Sequence, residues 1–239
     1  MPEAAVAPGD VAVPCESLVG VLFDMDGVLV DSEPIWFEVE RAVMTRLGGQ
    51  WTDADQQALV GGSLYRTVDY LIERATVAAG HADVAGWLLT GMEQRLRQSG
   101  VEPVPGAVEL VEAVRSAGLP CALVTSSEPV IVSAVLGALA RYQVTFDAIV
   151  SGADVRNPKP DPEPYLSAAA LLGLDSRCCV AIEDSPNGVA SARGAGCVTV
   201  AVPGLAALPD TDGVVVAASL ADVSLEWLRE LVLARFRGV

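Results

Sequence analysis

The chain has 239 residues, 51% of them hydrophobic and 19% charged, which suits one folded domain with an insert and excludes a disordered chain. Asp and Glu number 31 against 15 Lys and Arg, a formal charge of −16, so nucleic acid and anionic membrane surfaces are poor partners. The single histidine, His81, and the lack of any Cys-x-x-Cys exclude the common zinc sites, and no Gly-x-Ser-x-Gly is present for a serine hydrolase.

Residues 1–16 read as a flexible Ala/Pro/Val-rich tail. No Lys or Arg precedes Arg41, so the positive start of a secretory signal is missing. Val19 to Phe23 form a continuous apolar run, as in a strand buried on both faces of a parallel sheet. It ends in Asp24-Met25-Asp26-Gly27. The spacing then turns helical: Trp36, Val39, Val43 and Leu47 share a face, as do Leu64, Val68, Leu71 and Ala75, and Val84, Leu88, Met92 and Leu96. No strand interrupts residues 34–100, which are expected to form an all-helical cap. Trp36 and Trp87 are read as core residues of that cap, Ser63 as a helix cap, and His81 as a loop residue before a helix capped by Asp83.

After Pro103-Val104-Pro105-Gly106, helix and strand alternate to the end. Helices are predicted over 107–117, 129–140, 162–172, 187–193 and 225–236. Strands are predicted over 121–124, 148–150, 178–182, 198–202 and 214–216. Repeated βα units argue for an α/β fold: a Rossmann-like open parallel sheet core, residues 17–33 and 101–239, with the helical cap inserted after the first strand. The five cysteines read as reduced thiols of a cytoplasmic protein. No stretch approaches the roughly 20 apolar residues of a membrane span, and a monomer is expected.

In such a sheet, sites form beyond the carboxyl ends of the strands. There the sequence places Asp24 and Asp26, then Thr125, Ser126 and Ser127, then the chain's single lysine, Lys159, and finally Glu183 and Asp184. An isolated Asp-x-Asp means little, since Asp53/Asp55 and Asp210/Asp212 repeat it. The joint occurrence is informative. Two like charges 4 Å apart repel by about 4 kcal/mol at an effective dielectric near 20, so gathered carboxylates require a cation. Oxygen ligands without His or Cys favour Mg2+. The residues thus describe a Mg2+-dependent phosphoryl-transfer site with a carboxylate nucleophile.

Asp24-Met25-Asp26-Gly27-Val28-Leu29-Val30-Asp31-Ser32-Glu33 resembles the first motif of the haloacid dehalogenase-like superfamily. Val124-Thr125-Ser126 is similar to its second motif, Lys159 in Asn-Pro-Lys-Pro-Asp-Pro to its third, and Ile182-Glu183-Asp184-Ser185 to its fourth. The match runs from about residue 18 to 205, and the cap resembles that of the β-phosphoglucomutase and sugar-phosphate phosphatase subfamily. The resemblance implies that Asp24 attacks phosphorus and that Asp26 serves as general acid and base. It implies that Asp24, the Asp26 carbonyl and Asp184 hold Mg2+ with help from Glu183. Gly27, Thr125, Ser126 and Lys159 would bind phosphate.

Departures from the mutases point to hydrolysis. Trp36 stands where they carry a histidine, Glu128 where they carry a lysine, and Gly61-Gly62-Ser63-Leu64 where they carry a phosphate-binding arginine, with Arg66 nearby as a substitute. The expected function is hydrolysis of a small phosphorylated metabolite, a sugar or polyol phosphate. A hexose-phosphate mutase and a non-catalytic binding protein on the same core are the alternatives.

Overall fold

The computed structural model describes residues 15, 17–59, 62–204, 206–208 and 212–237. Its centre is a six-stranded parallel sheet: β1 (Gly20–Phe23), β2 (Cys121–Val124), β3 (Ala148–Val150), β4 (Cys179–Glu183), β5 (Val198–Ala201) and β6 (Val215–Val216). The spatial order is β3-β2-β1-β4-β5-β6. Strand order therefore reverses between β1 and β4, the crevice where doubly wound sheets bind ligands. Phe23 is in register with both Leu123 of β2 and Ile182 of β4, so the residues that leave these three strands emerge side by side. Every residue of β1, β2, β4 and β5 is buried, which is why these strands read as unbroken apolar runs.

The insert after β1 holds, among the described residues, four helices: α1 (Glu33–Arg46), α2 (Asp53–Leu59), α3 (Leu64–Arg74) and α4 (His81–Ser99). Helix α5 (Ala107–Ser116) leads back to the sheet. It is followed by α6 (Pro129–Leu139), α7 (Glu163–Leu172), α8 (Pro186–Gly194) and α9 (Leu225–Phe236) along the remaining strands. Helix α4 packs on α1 and α3, and also on α6, so the helical segment leans on the sheet unit. All four expected apolar positions of α4 are buried. The two chain crossings run together: Val30 pairs with Pro103, and Val104 N–H donates to the Leu29 carbonyl at 3.0 Å. One apolar cluster joins the helices of the insert to one face of the sheet, and a smaller one, around Leu22 and Tyr165, covers the other.

Several expectations need correction. Helix α2 is additional to the predicted elements. Its amino end is built by Thr52, whose backbone N–H donates to Asp55 Oδ2 at 2.8 Å, while Asp55 N–H reaches back to Thr52 Oγ1. Helix α4 begins at His81 rather than after Asp83, with Gly80 at the cap, so His81 is helical and its Nε2 lies 3.2 Å from Asp69. Ser63 does cap α3, accepting from the Arg66 amide. The cysteines are not all thiols: Cys15 and Cys178 form a disulfide, with Cα atoms 5.4 Å apart. Val19 N–H donates to the Cys178 carbonyl, and this pairing brings the segment before β1 alongside the start of β4. Cys15 is therefore buried and anchored, not part of a flexible tail; residues 1–14 and 16 lie outside the described residues. Cys121, Cys179 and Cys197 are free and buried. Among the described residues, no helix is long and apolar enough to cross a membrane.

Candidate active site

The carboxyl ends of β1, β2 and β4 and the loop after β3 converge on one buried ammonium. Lys159 Nζ lies 2.5 Å from Asp24 Oδ1, 2.6 Å from Glu183 Oε1 and 2.9 Å from the Val124 carbonyl oxygen. It is as buried as a core residue, which a solvated surface lysine never is. Tyr165 of α7 donates from its hydroxyl to the same Glu183 oxygen at 2.6 Å. The other Glu183 oxygen accepts from the Asp184 amide and the Ser185 hydroxyl, both at 3.2 Å. Both oxygens of Glu183 are thus occupied, and its geometry is that of an anchor for Lys159. Gly188 makes room for it, because a Cβ there would occupy the space of the Glu183 carboxylate.

Asp24, Glu183 and Asp184 each place a carboxylate oxygen within 4.8 Å of the others. Burial, then the Glu183 charge, pushes the Asp24 carboxyl up to about 8 despite the Lys159 contact. Burial, then Asp24 and Glu183, pushes Asp184 up to about 9. Burial alone would make Lys159 lose its proton more readily, but Asp24 and Glu183 outweigh it and hold the ammonium charged. One ammonium therefore cannot neutralise three buried carboxylates. A divalent cation with a preference for hard oxygen ligands fits this donor set, with Asp24 and Asp184 as the carboxylates least engaged elsewhere.

Asp26 lines the same cleft but is held by other partners. Its two carboxylate oxygens accept from Ser32 Oγ and, at 2.8 Å, from Ser127 Oγ. These two hydroxyls fix the carboxylate from opposite sides, one on the linker into α1 and one after β2. Gly27, at φ 83°, belongs to the site through its missing side chain: a Cβ would strike the Asp184 carboxylate. Its amide donates to the Val30 carbonyl at 2.8 Å, so the expected phosphate contact is not what the loop uses it for. Thr125 is buried at the tip of β2 and accepts from the Ser127 amide at 3.0 Å.

Residues 21–202 match the family model described as haloacid dehalogenase-like hydrolase. The chain belongs to this family. This haloacid dehalogenase-like hydrolase is 30% identical over 227 residues to hexitol phosphatase B of Escherichia coli K12, covering 92% of this chain and 97% of that one. It is 33% identical over 183 residues to the fructose-1-phosphate phosphatase of the same organism, covering 76% and 94%. The crystal structure of CbbY from Rhodobacter sphaeroides with phosphate superposes with a TM-score of 0.79 at 24% identity, covering 87% of this chain and 98% of that one, a likeness of fold.

The haloacid dehalogenase-like motifs come together as their order along the chain implies. Asp24, Asp26, Thr125, Ser126, Lys159 and Asp184 all line one cleft. Its opposite wall is made by the helical insert: Glu33, Trp36 and Glu40 of α1, Gln56 and Leu59 of α2, and Leu64 and Thr67 of α3. Trp36 is half-buried, packing against the apolar core as expected while also lining the cleft. A wider cleft of about 730 Å³ adjoins it and shares Glu33, Gln56 and Asp184. Arg66 is turned outward, with its guanidinium 2.7 Å from the Ala58 carbonyl, and does not line the cleft. Beyond the residues the motifs mark, Tyr165, Ser32 and Ser127 act as supports, and Glu33, Glu40 and Gln56 line the cleft. The first three carried a signal, since each is a hydroxyl inside or next to a motif.

Glu40 is buried, and burial first, then the Glu33 charge, raises its carboxyl to about 8 against an ordinary value of 4.5. The folded chain thus keeps a proton that the unfolded chain releases above pH 4.5. Stability from this source is complete below that pH and falls as pH rises towards 8. Glu40→Gln is expected to match the wild type at pH 4.5 and to exceed it by on the order of 2–4 kcal/mol at pH 8. Denaturant unfolding at the two pH values checks it; a constant difference would contradict the burial argument.

Proposed function

We propose that this haloacid dehalogenase-like hydrolase is a Mg2+-dependent phosphomonoesterase acting on a small sugar or polyol phosphate through an aspartyl phosphate on Asp24. The observation that carries this reading is the buried Lys159, bonded at once to Asp24 and Glu183 at the sheet's reversal point, beside an Asp26 held by two hydroxyls. The names of its relatives, hexitol phosphatase B and fructose-1-phosphate phosphatase, support it.

In this reading Asp24 supplies the oxygen that bonds to phosphorus as the ester P–O bond breaks. Asp26 gives its proton to the departing alkoxide, so a neutral alcohol leaves. The same carboxylate then takes a proton from water as that water attacks phosphorus and breaks the bond to Asp24, returning free aspartate and inorganic phosphate. Ser32 and Ser127 hold Asp26 in line for both proton transfers. Thr125 and Ser126 grip phosphate oxygens, and Lys159 holds Asp24 aligned and offsets the incoming charge. Asp24 and Asp184, with the Asp26 backbone carbonyl, would hold Mg2+, and Glu183 acts chiefly through Lys159. Bound there, Mg2+ would balance the charge that the carboxylates and phosphate bring together.

Hydrolysis is preferred over transfer between two positions of one sugar because the cleft offers no second cationic anchor. Lys159 is the single cation among its described lining residues, and Glu33, Glu40 and Glu128 line the cleft as well. The test is turnover of a panel of sugar and polyol monophosphates. EDTA is expected to abolish release of inorganic phosphate, Mg2+ to restore it and Ca2+ to fail, since a larger, less directional ion allows Asp24 to bind through both oxygens. Full activity in EDTA, or equal activity with Ca2+, would contradict the reading.

A further inference from the structure

Among the described residues, one buried side-chain atom has no hydrogen-bond partner: Glu40 Oε2. Glu40 is 3% exposed, lies one turn beyond Trp36 on the same face of α1, and lines the cleft opposite Asp24 and Lys159. Buried polar atoms in folded proteins are nearly always paired, so an orphan on a cleft wall marks the place of a missing partner. The nearest polar neighbour is Gln56. Gln56 donates to Glu33 Oε2 at 3.0 Å and accepts from Trp51 Nε1 at 3.1 Å. A further Gln56 hydrogen bond reaches the Glu40 carboxyl, so within this group Glu40 Oε2 alone is left open.

We infer that Glu40 is a specificity-determining residue which binds a hydroxyl of the substrate's leaving group, selecting monophosphates of neutral polyhydroxylated alcohols. This rests on the phosphomonoesterase reading and extends it to the other half of the substrate. A hydroxyl satisfies a carboxyl in either protonation state, as donor to the anion or as acceptor from the acid. The indole of Trp36, one turn away, offers an apolar surface to the carbon chain that carries the hydroxyls. A second phosphate or a carboxylate on the leaving group would instead meet Glu33 and Glu128, with Lys159 already bonded to Asp24 and Glu183. Such substrates are disfavoured.

The experiment compares kcat/KM of the wild type, Glu40→Gln and Glu40→Leu on three substrates: a hexitol monophosphate, the same hexitol carrying a second phosphate, and p-nitrophenyl phosphate, whose leaving group has no alcohol hydroxyl to offer. The wild type is expected to prefer the monophosphate over the bisphosphate by at least about tenfold. Glu40→Leu is expected to lower the ratio of hexitol monophosphate to p-nitrophenyl phosphate activity by about 10- to 100-fold, chiefly through KM, as loss of a hydrogen bond to a buried carboxyl implies. Glu40→Gln, which still donates and accepts, is expected to recover most of that ratio. Equal losses on both monophosphates would make Glu40 a structural residue and overturn the inference alone. So would an unchanged ratio, or a wild type that favours the bisphosphate. A wild type that hydrolyses none of the three would overturn the phosphomonoesterase reading and this inference with it.

Discussion

Asp24→Asn is expected to reduce phosphatase turnover by on the order of 10⁴-fold or more while the protein stays folded. The amide keeps the shape of the carboxylate but cannot form the bond to phosphorus. Stability should hold or improve, because the substitution removes one of three crowded carboxylates and leaves the 2.6 Å contact between Lys159 and Glu183. Comparing initial rates and thermal midpoints of the purified variant separates the two effects. Residual activity above a few per cent would remove Asp24 from the nucleophile's place. An unfolded variant would mean that the Asp24–Lys159 contact contributes more to the fold than the charge count allows.

Lys159→Met carries the second large effect, and here both rate and stability change. The ammonium neutralises two carboxylates, at 2.5 and 2.6 Å, that form no other ion pair among the described residues. Removing one partner of a buried ion pair typically costs about 3–5 kcal/mol, since the remaining charge is left without compensation. For a chain of this size that is a fall of roughly 6–20 °C in thermal midpoint. Asp24 escapes by holding a proton, which also disables it as a nucleophile, so turnover falls by at least ~10³-fold. The stability deficit should shrink at pH 5, where the carboxyls take up protons readily, and widen at pH 8. A deficit that grows towards acid pH would contradict this account of the cluster.

Much of the site was legible because each chemical residue sits immediately after a buried strand. Val19–Phe23, Cys121–Val124 and Cys178–Ile182 announce their strands by continuous apolarity, and the polar residues that end them must emerge at one sheet edge. The supports were less legible, because their partners lie far away along the chain. Ser127 reaches Asp26 across 101 residues and Tyr165 reaches Glu183 across 18, separations that no local pattern encodes. Helix α2 has only two alanines and a leucine to supply apolar spacing, so periodicity passes over it, although Thr52-Asp53-Ala54-Asp55 carries a capping-box pattern. The disulfide depends on how the segment before β1 runs beside β4, again a long-range pairing of Cys15 with Cys178. Glu40 was hidden for another reason. A glutamate on an amphipathic helix ordinarily faces water, and only the packing of α1 across the cleft buries it.

The most direct test of the account is to trap the covalent intermediate. Asp26→Asn should still accept phosphate from p-nitrophenyl phosphate, whose phenolate leaves without a proton. It should then stall, because the amide cannot take a proton from water. Rapid mixing of this variant with substrate and Mg2+ is expected to give a burst of one p-nitrophenolate per protein, and borohydride reduction of the quenched sample should convert residue 24 alone to homoserine. A burst with the label on another residue, or release of p-nitrophenolate with no burst and residue 24 intact, would contradict the assignment of Asp24 as nucleophile and Asp26 as acid and base.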